Sequence, residues 1–534
     1  MKTHVWLTSS LQRNFALDAP GTKRALRLDA ARGERVSFQV CVRPEEGPVE
    51  VVAEAKAPDD VAVTIRRVGC VPVPHLNTKV PAEETDGVGR VPGYVPDPLF
   101  PETTARAAPG EVQSFWVTVD VPRDARPGAK TVEVSLRVGD QTHGGLKATV
   151  EVAEVVLRKR RNFSITHWFY ADAISDWYKV EPFSDAFWPI CEKYMADYAA
   201  HGLDTIYLPV FTPPLDGVKR PTQLLDVARD ADGRYTFDWR LVKRWIALAE
   251  KCGIEKFEWT HLFTQWGCKN AIRIYDKRQP GEALLWPPET GATSATYRDF
   301  LSQFLPALHR FLTREDLLKR SFFHVSDEPH GDEHRANYQA ARRMLRELAP
   351  WMTVMDALSG IEFGREGLVD MPIPSIATTR QFAEEGIKSW TYFCCGPRGR
   401  YLNRLLDTPL AKQRYAGWLF YRFRALGFLH WGYNYWYKSQ TRQMIDPFTV
   451  TDGLGWPGWA YGDTFVVYPG PDGPIDSLRW EVFHESMQDY ALLQTLGISP
   501  DDRLLAPLQD FNDFPKTEAW LRSARRKLLA KGNS

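Results

Sequence analysis

The chain has 534 residues, of which 44% are hydrophobic and 25% charged, as in ordinary globular proteins, and it is long enough for two or more domains. Lys plus Arg equals Asp plus Glu at 67 each, which removes any bulk attraction to nucleic acid or anionic lipid and favours a neutral substrate. No apolar run reaches the roughly 18 residues of a membrane span, and the opening MKTHVWLTSSLQRNF lacks the apolar core of a signal peptide. Seven cysteines, an odd number with no CxxC pair, exclude a zinc ribbon or thioredoxin motif, and a cytoplasmic location is expected.

Residues 1–158 alternate with period two. Val36, Phe38, Val40 and Val42 share one face of a strand; Phe115, Val117, Val119 and Val121 share another, as do Val132, Val134, Leu136 and Val138. Short strands separated by turn residues predict an antiparallel β-sandwich. The Pro-rich stretch 72–101 reads as an extended surface connection, with an arm toward a catalytic rim as its functional alternative.

After the basic hinge RKRRN (158–162) strands alternate with helices. Strands are predicted at 163–170, 204–211, 254–260, 321–327, 351–357, 373–378, 387–394 and 426–434. Helices are predicted at 184–201, 239–252, 294–314, 333–348 and 408–425. This succession predicts an α/β fold, a closed (β/α)8 TIM-type barrel. No glycine-rich turn follows the first strand, which counts against an open dinucleotide-binding sheet. The long connections 212–238 and 261–293 follow strands and so belong to the face that carries active sites in such barrels. A Trp/Gly/Pro-rich segment leading to DTFVVYPG (463–470), a long helix near 476–496 and a polar helical end complete the chain. The expected division is a sandwich over 1–158, a catalytic barrel over 159–470 and a helical C-terminal extension over 471–534 packed on the barrel.

The fourth strand ends Val325-Ser326-Asp327-Glu328-Pro329. Two acids at the C-terminal tip of such a strand point to acid–base chemistry, because unpaired carboxylates are costly to bury. Neighbours on a regular strand face opposite ways, so both can serve one substrate only if the ladder ends or bulges there; Pro329 favours that. Retaining enzymes with a protein nucleophile usually take their two carboxyls from different strands. Consecutive acids suit substrate assistance, in which one carboxyl protonates the leaving oxygen and the other orients a 2-acetamido group. His330 and His334 have i, i+4 spacing, but HExxH is absent and no metal is expected.

The aromatic content, 19 Trp, 20 Tyr and 28 Phe, suits stacking on the C–H faces of sugar rings, although large rings also fill cores. Trp168, Tyr170, Trp390, Tyr392, Trp431, Asn434 and Trp436 lie near strand ends, and Asn403 follows in a loop; all are candidate substrate-binding residues. Alternation turns about half of each run away from the site.

HVSDEP (324–329) resembles glycoside hydrolase family 123. So do SWTYFCCGPRGRYLN (389–403), GFLHWGYNYW (427–436), the stretch 462–490 and PDPLFP (96–101). The resemblance implies a β-sandwich ahead of a (β/α)8 barrel and a retaining β-N-acetylgalactosaminidase that uses substrate assistance, without metal or other cofactor. It implies that Asp327 stabilises an oxazolinium intermediate and that Glu328 is acid and then base. Tyr392 becomes a candidate donor to the acetamide carbonyl. Ser486 stands where the family usually has glycine, which touches packing. The expected partner is a carbohydrate. A glycosidase of the same fold acting on another sugar, and a non-catalytic glycan-binding protein, stay open as alternatives.

Overall fold

The computed structural model describes residues 2–213, 220–279, 281–438, 441–451 and 455–532. The period-two segments form two sheets. One has seven strands in the order Thr3–Ser9, Arg35–Pro44, Gln113–Asp120, Ala62–Val73, Gly93–Phe100, Gly473–Ser477 and Tyr468–Gly470. The other has five: Ala25–Arg32, Gln141–Val156, Gly128–Val138, Val49–Lys56 and Thr104–Ala107. Phe38 lies opposite Val117 and Val40 opposite Phe115. These side chains meet Val51, Val134, Leu136 and Val150 of the other sheet in one buried cluster. Alternation thus supplies a core of inward-facing residues between two layers.

Two features depart from the expected sandwich. Residues 147–152 pair with 25–30 in parallel. Gly33, at φ 84°, turns the chain from the strand Ala25–Arg32 into the opposite sheet, so the earlier strand is left as an edge that 141–156 joins in the same direction. The seven-stranded sheet also gains a hairpin from the far end of the chain, with Asp476 opposite Leu99 and Ser477 opposite Pro98. The expected boundary at 470 falls inside this hairpin. The Pro-rich stretch ends as the strand Gly93–Phe100, while Asn77 and Leu76 reach Asp407 and Trp456.

The second half holds short parallel strands. A six-stranded sheet runs in the order Ser321–Phe322, Lys256–Trp259, Thr205–Leu208, Ser164–His167, Gly427–His430 and Thr391–Tyr392. Met355–Ala357 and Met371–Ile373 form a parallel pair. Single parallel bridges, Phe323 with Val354 and Ser375 with Tyr392, join that pair to both ends of the sheet. Every predicted strand here is shortened, some at the C-terminal end, as in Ser164–His167 and Ser321–Phe322, and others at the N-terminal end, as in Met355–Ala357.

The helix Ala295–Arg314 starts where the Ser294 hydroxyl accepts from Tyr297 N, and it buries Tyr297, Phe300, Leu301, Phe304, Leu308 and Phe311 at helical spacing. The expected helix 408–425 is broken into Leu410–Gln413 and Ala416–Arg422. At the break Arg414 turns to Asp489 and Glu485 on the helix Leu478–Thr495, which is buried on nearly all sides. There Gly417 lies so close to the Ser486 carbonyl that a Cβ would collide with it. The terminal helix Glu518–Lys531 lies against the sandwich through Arg525, which pairs with Glu34, and against the 410–422 segment through Trp520 on Tyr415. Among the described residues no helix is long and apolar enough to cross a membrane.

Candidate active site

The strand Ser321–Phe322 is short because its continuation is claimed by neighbouring loops. Leu262 N donates to the His324 carbonyl at 3.1 Å, Phe263 N to that of Val325 at 2.9 Å and Trp266 N to that of Asp327 at 2.9 Å. On the other side Glu328 N donates to the Ala357 carbonyl at 2.9 Å. Glu328 itself has φ 44°, a left-handed conformation that costs a non-glycine residue on the order of 1–3 kcal/mol. This twist removes the alternation that would send Asp327 and Glu328 to opposite faces, and Pro329 cannot resume the ladder.

Asp327 is buried, and its Oδ2 accepts from Gln265 Nε2 at 3.0 Å. Burial drives its carboxyl well above the ordinary range, and the charge of Glu328 pushes it further the same way. Glu328 Oε1 accepts from the Tyr392 hydroxyl at 2.5 Å. The two carboxyls therefore share one electrostatic environment while each is oriented by its own donor.

Beneath them lies a polar layer that sequence reasoning missed. His324 Nε2 meets Glu258 Oε1 at 2.8 Å and Nδ1 meets Asp356 Oδ1 at 3.1 Å; all three side chains are almost fully buried. Glu258 also accepts from Trp168 Nε1 at 2.8 Å and from Thr166, and Asp356 accepts from Val325 N and Tyr338. Burial alone would lower the imidazole pKa, but the two carboxylates win and lift it to about 10, so His324 is an imidazolium. Its charge opposes the rise at Asp327. His261 stacks on His324 with ring centroids 4.2 Å apart. His261, His324 and Asp356 lie close enough together to hold a cation, but both ring nitrogens of His324 are engaged by carboxylates. Glu258 and Asp356 stand within apolar strand sequence, FEW and VMDA, and such isolated acids were the available signal.

The candidate substrate residues separate into two groups. Tyr392 reaches Glu328, and half-buried Trp431 donates from Nε1 to Asp463 Oδ2 at 2.8 Å with Trp459 edge-on beside it. The remainder are interior. Trp168 holds Glu258. Tyr170 donates to the Trp431 carbonyl at 2.9 Å, and Asn434 bonds both the N–H and the carbonyl of Tyr170. Asn403 donates to the carbonyls of Cys394 and Pro397. Trp390 packs edge-on against Phe322 and over Gly427, near the start of its strand and away from the acids. Trp436 is fully buried against Trp177 and Tyr194. Of these six flat rings, Trp168, Tyr170, Trp390 and Trp436 serve the core and Tyr392 and Trp431 the rim. His330 N donates to His334 Nδ1 at 3.1 Å, and the His334 ring lies over Gly267.

Solved structures resemble this chain's fold to differing degrees. A family 123 glycoside hydrolase from Clostridium perfringens, described for glycolipid glycan hydrolysis, superposes with a TM-score of 0.77 at 14% identity, covering 100% of this chain and 98% of that one. A family 5 xyloglucanase from Bacteroides ovatus aligns with a TM-score of 0.32 at 10% identity, over 88% of this chain and 98% of that one. No curated protein matches the chain in sequence. The family profile described as glycoside hydrolase 123, catalytic domain, matches residues 168–496 and so takes in Asp327, Glu328 and the polar layer beneath them. By that match, which covers more than half its length, the chain belongs to glycoside hydrolase family 123 and is a glycoside hydrolase.

Proposed function

We propose that this protein is a retaining exo-glycosidase that releases terminal β-linked N-acetylgalactosamine with the help of the sugar's own 2-acetamido group. The observation that carries the reading is the left-handed backbone at Glu328, which lets two consecutive acids act on one anomeric centre. In this mechanism the acetamide carbonyl oxygen attacks C1 while Glu328 gives its proton to the departing oxygen. Asp327 accepts the acetamide N–H and stabilises the oxazolinium ion that forms. Glu328 then takes a proton from water as it attacks C1, which returns the original anomeric configuration.

In the free protein burial and the Glu328 charge favour the neutral form of Asp327. An acetamide N–H arriving at Asp327 favours the carboxylate there, the form the first step needs. Tyr392, held on Glu328 beforehand, is placed to turn to the acetamide carbonyl. Trp431 supplies an aromatic face at the rim. Trp168, Tyr170, Asn403 and Asn434 position these groups from behind, and Trp390 and Trp436 pack the interior.

The parallel pairings and the two bridges, taken in order, return to the first strand, which supports a closed eight-stranded barrel. We propose 1–158 as the sandwich, 159–470 as the catalytic unit and 471–534 as an extension that binds the two together. A chromogenic β-N-acetylgalactosaminide tests the function. Turnover is expected in the native protein, lost in both Asp327→Asn and Glu328→Gln and blocked by a thiazoline that mimics the oxazolinium. Turnover of other sugars but no 2-acetamido sugar would overturn the substrate and the assisted mechanism together.

A further inference from the structure

Outside the acid pair, one nucleophilic cluster borders the site without a part in the reaction. Beyond the strand Thr391–Tyr392 the chain bends at Cys394 and Cys395, while Phe393 packs against Phe428. Tyr392 touches Glu328, so Cys394 stands one step further toward the rim, where the charges of Glu328 and Asp463 act on its thiol. Cys395 follows it, and the two Sγ atoms are 3.8 Å apart. Both are free thiols and both are partly accessible.

The loop that carries them is fixed from three sides. Asn403 Nδ2 donates to the Cys394 carbonyl at 2.9 Å, Arg398 Nε to the Cys395 carbonyl at 2.6 Å, and Cys394 N to the Gly396 carbonyl at 2.9 Å. Two thiols are thereby presented together with little left to organise. Their separation is nearly twice the roughly 2.05 Å of a disulfide. It is a few tenths of an ångström wider than the span of two sulfurs bonded at about 2.3 Å to one pyramidal centre. Neither three-ligand cluster among the described residues includes them, so a centre that asks for two sulfurs and no more fits best.

We propose that Cys394 and Cys395 form a dithiol site for monosubstituted trivalent arsenicals at the lip of the catalytic pair, and that filling it shuts off hydrolysis. The first clause stands on the thiols alone; the second rests on the assignment of Asp327 and Glu328. With an organoarsenous oxide, two As–S bonds form while the As=O bond and both S–H bonds break. The two thiol protons leave with the oxygen as water. Arsenic stays trivalent and no oxidant is consumed. Burial and the adjoining thiol keep Cys394 protonated near neutrality, which suits a reagent that condenses with thiols rather than one that needs a free thiolate.

The probe is phenylarsine oxide on the full-length protein. Intact mass and peptide mapping are expected to give one phenylarsenic per chain, less one water, on the peptide holding Cys394 and Cys395. Activity should fall on the order of tenfold or more and return with 2,3-dimercaptopropanol but not with a monothiol. Cys395→Ser should keep native activity and lose both the adduct and the sensitivity. An adduct mapped to another peptide, or no adduct, overturns the site; an adduct on this peptide with undiminished turnover overturns its control of hydrolysis. Mass reports the site even if the sugar assignment fails, since that failure appears as no turnover in untreated protein.

Discussion

Replacing His324 with Leu removes the one cation between Glu258 and Asp356, both of which have no exposed surface. The imidazole is lifted from the 6.5 of an unfolded chain to about 10, and at 1.36 kcal/mol per unit that shift corresponds to an upper bound of about 5 kcal/mol. Burial raises Asp356 as well, which takes back a share, so the net gain is smaller. Stripping one partner from a buried ion pair typically costs about 3–5 kcal/mol, and the loss expected at pH 7 lies in that range. The folded pKa is raised, so the stabilisation is complete below about pH 6.5 and lost as pH climbs through about 10. Urea unfolding followed by tryptophan fluorescence should give a native midpoint that drops between pH 7 and pH 10. In His324→Leu the midpoint should be low throughout and recover partly toward pH 5, where the stranded Asp356, raised by burial, takes up a proton. A variant within about 1 kcal/mol of the native protein at pH 7, with the same alkaline slope, would refute the imidazolium clamp.

Two further outcomes follow from individual contacts. Tyr392→Phe deletes the hydroxyl on Glu328; a hydrogen bond to a charged group is worth about 1.5–3 kcal/mol, so kcat/KM should fall about ten- to a hundredfold with the circular dichroism spectrum unchanged. Gly417→Ala, which in an open helix would stabilise, should here cost about 1–3 kcal/mol in thermal or urea unfolding, because its methyl group meets the Ser486 carbonyl.

Much of the fold was legible because burial writes a period into sequence. The faces Val36 to Val42 and Phe115 to Val121 form the sandwich core as expected, and the acids at 327–328 stand where an apolar strand runs out. Direction and partnership were less legible. Alternation says that a strand is half buried, not which edge it joins, so the parallel pairing at 25–30 and the hairpin at 468–477 could not be read from it. The polar layer was missed for a related reason. Glu258, His324 and Asp356 are far apart in sequence, and each alone looks like a fault in an apolar strand; only proximity makes them a charge-balanced group. Aromatic residues gave the opposite error, since Trp390 and Trp436 have the composition of a sugar platform but the surroundings of a core.

The hairpin Tyr468–Gly470 and Gly473–Ser477 has a consequence for biosynthesis. Until a ribosome has delivered residue 477, the strand Gly93–Phe100 has no neighbour on its outer side, and nearly 400 residues must be made in the meantime. Pro96 and Pro98 withhold two N–H groups from that open margin and so make it a poor template for strands of other nascent chains. A late-made segment of the enzyme thus finishes one of its first-made layers.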